Sequence, residues 1–112
     1  MPPLTPAVVH VLLSLAGGER HGYGILKDVL RQTQEQIRLG PGTLYGTLQR
    51  LMESGWVEEA DRPARAPKSD ERRRYYRLTR SGREALQAEI DRLDSLVRAA
   101  RTQRITPRAS RV

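Results

Sequence analysis

Two short strand-forming segments lie among helical patterns, and their placement strongly limits the fold this chain can adopt. The first is WVEE at residues 56–59, and the second, rich in aromatic residues, spans 73–78. Aromatic and β-branched side chains favour strands. Residues 62–71 between them are charged, broken by prolines and too long for a tight turn. We therefore predict two antiparallel strands joined by a protruding, mostly basic loop.

Three helical patterns precede the first strand. Apolar residues recur at helical spacing over residues 5–16, and two glycines then stop the pattern. A second pattern begins near His21 and fades in the polar stretch 32–36. The third, within GPGTLYGTLQRL, is predicted around residues 42–54, with a proline at its entrance.

The third helix has a core face and an unusual outward face. Leu44, Leu48 and Leu51 are spaced to face the core, with Met52 at their edge. The opposite face is small and hydroxyl-bearing, so it can approach another polar surface closely. Backbone N–H groups at the helix entrance suit a phosphate oxygen. The candidate DNA-binding residues of this helix are Thr43, Tyr45, Gly46, Thr47, Gln49 and Arg50.

The last helical pattern is predicted to open at Thr79 or Ser81, with Glu84 available for a capping box, and to run to about Ala100. Its apolar positions form a seam of heptad type. The seam could pack only on its own domain, but a three-helix core with two strands leaves little apolar surface for so long a helix. We therefore favour a subunit contact through Leu86, Ile90, Leu93, Leu96 and Val97.

Positive charge is concentrated in two places. The net charge is +7, and residues 61–77 and 101–112 carry +4 each, while the remainder is close to neutral. This distribution is typical of proteins that neutralise phosphates, although a solvated loop and a disordered tail could have the same charge distribution. The candidate wing contacts are Arg65, Lys68, Arg72, Arg73 and Arg74.

The order helix, helix, helix, strand, basic loop, strand, helix predicts a mainly α fold with a small β-wing. It is a winged helix-turn-helix followed by a C-terminal dimerisation helix. We assign residues 1–78 to the DNA-binding domain, 79–101 to the dimerisation helix and 102–112 to a basic, disordered tail. The third helix would enter a major groove of double-stranded DNA while the wing touches phosphate or the adjacent minor groove.

The sequence of the chain also resembles those of the PadR family of bacterial winged-helix transcriptional regulators. The matching stretches are TPAVVHVLLSLA, HGYGILKDV, LGPGTLYGTLQRLMESGWVEE and RRRYYRLTRSGREAL, together covering roughly residues 4–100. The ordered combination of PGTLY, RRYYRLT and the following glycine is highly specific. One departure is Gly46 after Tyr45, where the family often has a proline that would stiffen the first helical turn.

The resemblance implies a homodimeric repressor that binds a palindromic promoter operator through the helix around residues 42–54. Dimer contacts in the family come from the C-terminal helix, often with the first helix, and this chain resembles the short type with one such helix. Some members bind phenolic acids, drugs or other small molecules near the dimer interface. The resemblance thus leaves open a small-molecule effector that relieves repression, but the residues do not identify it, because the one tryptophan, Trp56, opens the wing and phenylalanine is absent.

Catalytic and metal-binding chemistry finds little support in the sequence. There is no cysteine, and we expect His10 to be a core or edge residue with a satisfied nitrogen and His21 to cap a helix or pack near Tyr23. Glu58 and Glu59 are strand neighbours that point to opposite faces, so they do not form a convergent acid and base. We predict no enzyme activity, catalytic residue, metal or cofactor.

The longest apolar run, residues 7–16, is shorter than the roughly 20 residues a bilayer span needs, and no signal peptide is evident. We therefore expect a cytoplasmic protein without a membrane partner. The main alternatives to a DNA-binding regulator are a protein-interaction module with an acidic partner and a non-specific nucleic-acid-binding protein.

Several residues have two readings. Tyr45 could contact DNA or wedge between helices, and Thr43 could cap its helix as well as bind phosphate. Arg50 could reach a phosphate, a guanine edge or Glu53. Tyr75 and Tyr76 alternate along a strand, so one is expected in the core and the other at the wing or dimer surface.

Overall fold

The computed structural model describes residues 3–68 and 72–105, and within those ranges the chain forms four helices and three short strands. The predicted mainly α architecture with a small β-wing and a long last helix is confirmed. In chain order the elements are α1 Pro6–Ala16, β1 Arg20–His21, α2 Gly22–Gln32, α3 Pro41–Glu53, β2 Val57–Ala60, β3 Tyr75–Leu78 and α4 Arg80–Gln103.

Helices α1, α2 and α4 begin where a side chain can accept from one of their first N–H groups. Thr5 Oγ1 accepts from Val8 N at 3.3 Å at the start of α1. His21 Nδ1 accepts from Gly24 N at 3.0 Å at the start of α2, which confirms the expected cap. Such caps satisfy donors that have no partner within the helix.

Helix α4 starts at one of the two predicted caps, but its capping box and its end differ from the prediction. Thr79 is the cap, accepting from Gly82 N at 3.0 Å, and Glu84 forms an ion pair with Arg80 at 3.4 Å instead of completing a capping box at Ser81. The helix also continues to Gln103, so the first residues assigned to the tail are helical. The remainder of the predicted tail, residues 106–112, lies outside the described residues.

The sheet has the order β1-β3-β2, with both pairs antiparallel. The two-residue strand β1 was not predicted; it pairs His21 with Tyr75 and Arg20 with Tyr76. Because β3 is central, both of its tyrosines are buried, with 5% of Tyr75 and 2% of Tyr76 exposed. The prediction that one tyrosine would lie in the core and the other at the wing is confirmed for Tyr76 and Tyr75, although Tyr75 is buried beneath the wing loop rather than lying at a surface.

Both faces of β3 are covered, which explains the two buried tyrosines. Tyr76 belongs to the apolar core, and the ring of Tyr75 meets the ring of His21 edge-on at 5.3 Å between centroids. Pro63, Ala66 and Pro67 from the wing loop lie in the same cleft as Tyr75. This part of the loop is folded against β1 rather than protruding, and residues 69–71 lie outside the described residues.

The core lies between the three N-terminal helices and the inner face of the sheet. Leu44, Leu48 and Leu51 are buried as predicted, and Met52 packs at their edge. Burying one such side chain is worth about 1.5–3 kcal/mol. The other buried apolar residues of this core are Val9, Val11, Leu12, Leu15, Ile25, Val29, Val57, Tyr76, Leu78 and Leu86.

A polar network joins α1, β1 and α2 at the edge of this core. Asp28 is 7% exposed and forms ion pairs with Arg20, at 3.6 Å, and with Arg31. Gln32 donates to Asp28 at 3.1 Å and accepts from His10 Nδ1 at 2.7 Å, so His10 is an edge residue with a satisfied nitrogen, as predicted. The network fixes α2 against α1.

Helix α4 packs on the domain only along its first turns. Ala85, Leu86 and Glu89 are buried, whereas from Arg92 onward the helix is largely exposed. The helix has 24 residues and is therefore about 36 Å long. Roughly its second half thus lies beyond the core of its own chain.

Candidate nucleic-acid interface

The entrance of α3 is open to solvent. Gly40 is the N-cap, and no side chain caps the helix there. Pro41, Gly42 and Thr43 are all exposed in this first turn. The positive end of the helix is therefore accessible to an anionic group.

Most of the predicted outward residues of α3 do face outward, but Thr47 does not. Tyr45 is 50% exposed, and Gln49 and Arg50 are also exposed. Thr47 is only 5% exposed, so the prediction that it faces outward was wrong. At 100° per residue it lies about 60° from Leu44, within the edge of the buried arc rather than opposite it.

Thr47 instead contacts the arginine of the same face. Arg50 Nη2 donates to Thr47 Oγ1 at 3.4 Å, a weak hydrogen bond that folds the guanidinium back along α3. This contact was not among the expected partners of Arg50. Gly46 is half-buried and has no side chain that would project from the helix surface. A Cβ built on Gly46 would lie 3.8 Å from Arg50 Nη1.

The base of the wing presents a row of arginines. Arg72, Arg73 and Arg74 are exposed on the approach to β3. Arg74 Nε lies 3.7 Å from Glu59, a surface ion pair that contributes little to stability. These side chains form a positively charged end of the sheet, next to the first residue of β3.

The other two predicted wing residues lie elsewhere on the loop. Arg65 donates to the backbone oxygen of Glu19 at 3.4 Å and lies 3.8 Å from its carboxylate. It therefore ties the loop to the segment before β1. Lys68 is exposed.

A cleft of about 450 Å³ separates α3 from the arginine row. Its lining joins the predicted residues Tyr45, Arg72, Arg73 and Arg74 to four others: His21, Gly22, Tyr23 and Tyr76. Thr43, Gln49 and Arg50 lie along α3 outside this lining. We call this cleft, with its eight lining residues, the α3–wing cleft.

The added residues make the cleft both basic and aromatic. The Tyr23 ring has two cations nearby, with Lys27 Nζ at 5.4 Å and the Arg73 guanidinium carbon at 5.6 Å from its centroid. Arg73 Nη1 is also 3.1 Å from both ring nitrogens of His21. His21 stacks on Tyr23 at 6.5 Å, which confirms the expected packing. Cation–π contacts of this kind orient arginine and lysine side chains at a surface.

Tyr76, 2% exposed, is a buried part of the cleft lining. Burial raises the pKa of its phenol above the ordinary value, and Tyr45 and Glu59 raise it further. The group is therefore a neutral phenol at physiological pH. It adds no negative charge that would oppose an anion in the cleft.

The predicted subunit seam divides into a buried and an exposed part. Leu86 is 7% exposed and belongs to the core of its own domain, because α4 begins on α1 and β3. Leu93 is half-buried, while Ile90, Leu96 and Val97 are 37%, 56% and 46% exposed. Leu13 of α1, 42% exposed, lines the same groove as Ile90.

A family model for the transcriptional regulator PadR-like family matches residues 11–88, which span α1 through the first turns of α4. The chain belongs to the PadR-like family. The resemblance inferred from the sequence is thereby confirmed. The members of this family are transcription regulators rather than enzymes, and so is the structurally similar PadR family protein described below.

Individual relatives agree with this membership. Transcriptional regulator Rv3488 of Mycobacterium tuberculosis is 34% identical over 90 residues, covering 80% of this chain and 78% of that protein. An uncharacterized 37.1 kDa protein in transposon TN4556 of Streptomyces fradiae is 42% identical over 82 residues, or 70% of this chain. The matched region is 20% of that protein, so the PadR-like chain spans about a fifth of this relative's length.

A solved structure agrees at the level of the fold. The PadR family transcription regulator from Clostridium difficile R20291 superposes with a TM-score of 0.71 at 20% identity. The match covers 88% of this chain and 97% of that one. The winged-helix architecture of this PadR-like chain is thus that of a known regulator.

Within 3–68 and 72–105, no group of three or more His, Asp or Glu side chains is arranged to hold a metal ion. No helix in that part of the chain is long and apolar enough to cross a membrane.

Proposed function

We propose that this PadR-like protein is a cytoplasmic homodimeric repressor that binds a palindromic promoter operator. The observation that carries the proposal is the α3–wing cleft, where Tyr45 of α3 faces the arginine row at residues 72–74. An exposed polar helix face and a positively charged strand edge therefore lie on one side of the molecule. That is the arrangement a winged helix uses on duplex DNA.

The two sides of this surface have different tasks in the proposal. Gln49 and Arg50 carry the amide and guanidinium groups that can read base edges in a major groove. Thr43, at the open entrance of α3, and the arginines of the wing base bind phosphate oxygens. Thr47 is too buried to contact a base and acts through its hydrogen bond with Arg50.

The exposed half of α4 supports the dimer. Leu96 and Val97 lie on a helix surface that its own domain does not cover, next to the half-buried Leu93. Ile90 extends the stripe toward Leu13 of α1. A second copy of α4 would cover this stripe and bring two α3 helices to a palindromic site.

The direct test compares binding of the purified protein to its own upstream promoter duplex and to a scrambled duplex at several salt concentrations. Fluorescence anisotropy with recorded stoichiometry should give a preference of roughly a thousandfold or more at two chains per site. Equal, strongly salt-dependent binding to both duplexes would support a non-specific nucleic-acid-binding protein instead. Absence of binding at low salt would support a protein-interaction module.

Substitutions distinguish the two sides of the surface. Arg50→Ala and Thr43→Ala should weaken operator binding, whereas Arg72→Ala and Arg74→Ala should each also reduce the salt slope by about one. Arg98→Ala is the matched control, because Arg98 pairs with Asp94 on the distant half of α4 and carries the same charge. Unchanged operator affinity in all four interface variants would exclude this surface.

The dimer is tested separately. Leu96→Glu should give a monomer by light scattering and lose operator affinity, because each half-site offers too few contacts. Leu93→Glu and Ile90→Glu test the same stripe closer to the core. Ser95→Glu introduces the same charge roughly 100° away around the helix and should remain dimeric. A Leu96→Glu variant that stays dimeric would contradict this seam.

A further inference from the structure

Gly22 is the first residue of α2, and a side chain there would collide with Tyr45 of α3. A Cβ built on Gly22 would lie 2.5 Å from Tyr45 Oη, 2.9 Å from Cζ and 3.2 Å from Cε1. Carbon atoms in protein interiors do not approach this closely, since packing is already near its limit. The phenol end of Tyr45 thus fills the space that any side chain at position 22 would need.

The backbone of Gly22 does not itself demand glycine. Its φ angle lies outside the left-handed region, unlike those of Gly18 and Gly55. Alanine is also the better helix former. The constraint at position 22 therefore comes from the tyrosine packed against it.

Tyr45 is held at one end and open at the other. Its ring is half exposed, yet its hydroxyl end rests on the start of α2, and both residues line the α3–wing cleft. Because the aromatic ring is rigid and moves through only two side-chain torsions, blocking its end must swing the whole ring. The ring would then move relative to the arginines across the cleft.

We propose that Gly22 is a positioning residue that fixes Tyr45 at the mouth of the α3–wing cleft and thereby sets how well the protein discriminates its operator. The proposal rests on the proposed DNA-binding function. Gly22 acts through Tyr45 and needs no contact with DNA of its own. This role also resolves the two readings of Tyr45, since the ring wedges against α2 at one end and presents its face at the interface.

Gly24 provides a matched control on the same helix. A Cβ on Gly24 would meet His21 Cε1 at 3.4 Å, which is ordinary contact, and Tyr45 is not among its nearest atoms. Gly22→Ala and Gly24→Ala add the same methyl group to α2. They differ in whether that methyl group meets Tyr45.

The position of Tyr45 can be tested without DNA. In an aromatic ¹H–¹³C correlation spectrum, the Tyr45 signals are those absent from Tyr45→Phe. Gly22→Ala should move these signals, and Gly24→Ala should leave them in place. Unmoved Tyr45 signals in Gly22→Ala would overturn the contact.

Operator binding then tests the consequence. Gly22→Ala should lower the preference for operator over scrambled duplex about tenfold, within the range for loss of one base pair's contacts. In a Tyr45→Ala background the same change should alter the preference less than about twofold, because the atoms it displaces are gone. The double variant also lacks the collision, so it remains informative if Gly22→Ala folds poorly.

The outcomes separate this proposal from the proposed function. An equal loss in both backgrounds, or no loss in Gly22→Ala when Tyr45→Ala has one, would overturn the positioning role. If the wild-type protein has no duplex preference, the proposed function and the specificity role both fail. A Tyr45 shift confined to Gly22→Ala would still support the contact in that case.

Discussion

Gly82 in the first turn of α4 offers the sharpest test of how the last helix is attached. A Cβ on Gly82 would lie 2.1 Å from the backbone oxygen of Trp56, 2.9 Å from its carbonyl carbon and 2.8 Å from Leu78 Cδ1. The same Trp56 oxygen accepts from Thr79 N at 3.0 Å. The start of α4 is therefore pressed directly onto the backbone at the beginning of the wing.

Gly82→Ala should destabilise the protein despite the better helix propensity of alanine. To reach ordinary contact, α4 would have to withdraw by roughly 1.3 Å from a backbone carbonyl that cannot rotate away. Overpacking costs about 1–3 kcal/mol, and the upper part of that range, about 2–3 kcal/mol, applies here because the obstructing atom is a backbone carbonyl, while alanine in a helix recovers about 1 kcal/mol. We therefore expect a net loss of about 1–2 kcal/mol, or a Tm lower by roughly 4–16 °C for a domain of this size.

Thermal unfolding followed by circular dichroism measures this change at one fixed chain concentration, because the stability of a dimer depends on concentration. Gly42→Ala is the control, since a Cβ there meets nothing within 4 Å and φ is not positive. It should leave the Tm unchanged or raise it. A Gly82→Ala protein as stable as the wild type would refute the close attachment of α4.

Three further substitutions test other contacts. Thr79→Val removes the oxygen that accepts from Gly82 N and donates to Gly55 O at 2.6 Å, so it should cost about 1 kcal/mol in denaturant unfolding. Thr47→Val keeps the buried shape but removes the hydrogen bond from Arg50, so it should weaken operator binding less than Arg50→Ala does. For Asp28, burial raises the carboxyl pKa, but hydrogen bonds from Arg31 and Gln32 and the charge of Arg20 outweigh this effect and lower the pKa. Asp28→Asn should therefore be less stable than wild type at neutral pH, and the gap should close as pH falls from 3.8 through the folded-state pKa.

The helices could be predicted closely because their signals are local. The threonine that caps α1, the two glycines that follow α1 and the proline that opens α3 lie within a few residues of the apolar repeats they bound. The core face of α3 followed from the spacing of three leucines alone. Thr47 was misplaced because spacing gives the centre of a buried arc but not its width, which depends on what packs against the helix.

The sheet and the cleft could be predicted only in part because their decisive contacts are distant in sequence. Strand β1 consists of two residues and exists through pairing with β3, more than 50 residues later in the chain. That third strand buried Tyr75 and brought His21 beside the wing. The HGY stretch was visible in the sequence, but nothing local to it indicated that Gly22 would lie under Tyr45.

The contacts at Trp56 connect α3 to α4. α3 ends just before Ser54, and two residues later the Trp56 carbonyl receives Thr79 N and abuts Gly82. The polypeptide between α3 and this anchor is itself held to α3, because Gly55 N donates to Met52 O and Trp56 N donates to Leu51 O, each at 3.0 Å. In a dimer formed through α4, the separation of the two α3 helices would follow from how the α4 helices cross. The half-site spacing of the operator would then be set by the exposed stripe of α4 and by the glycine that seats this helix on the wing.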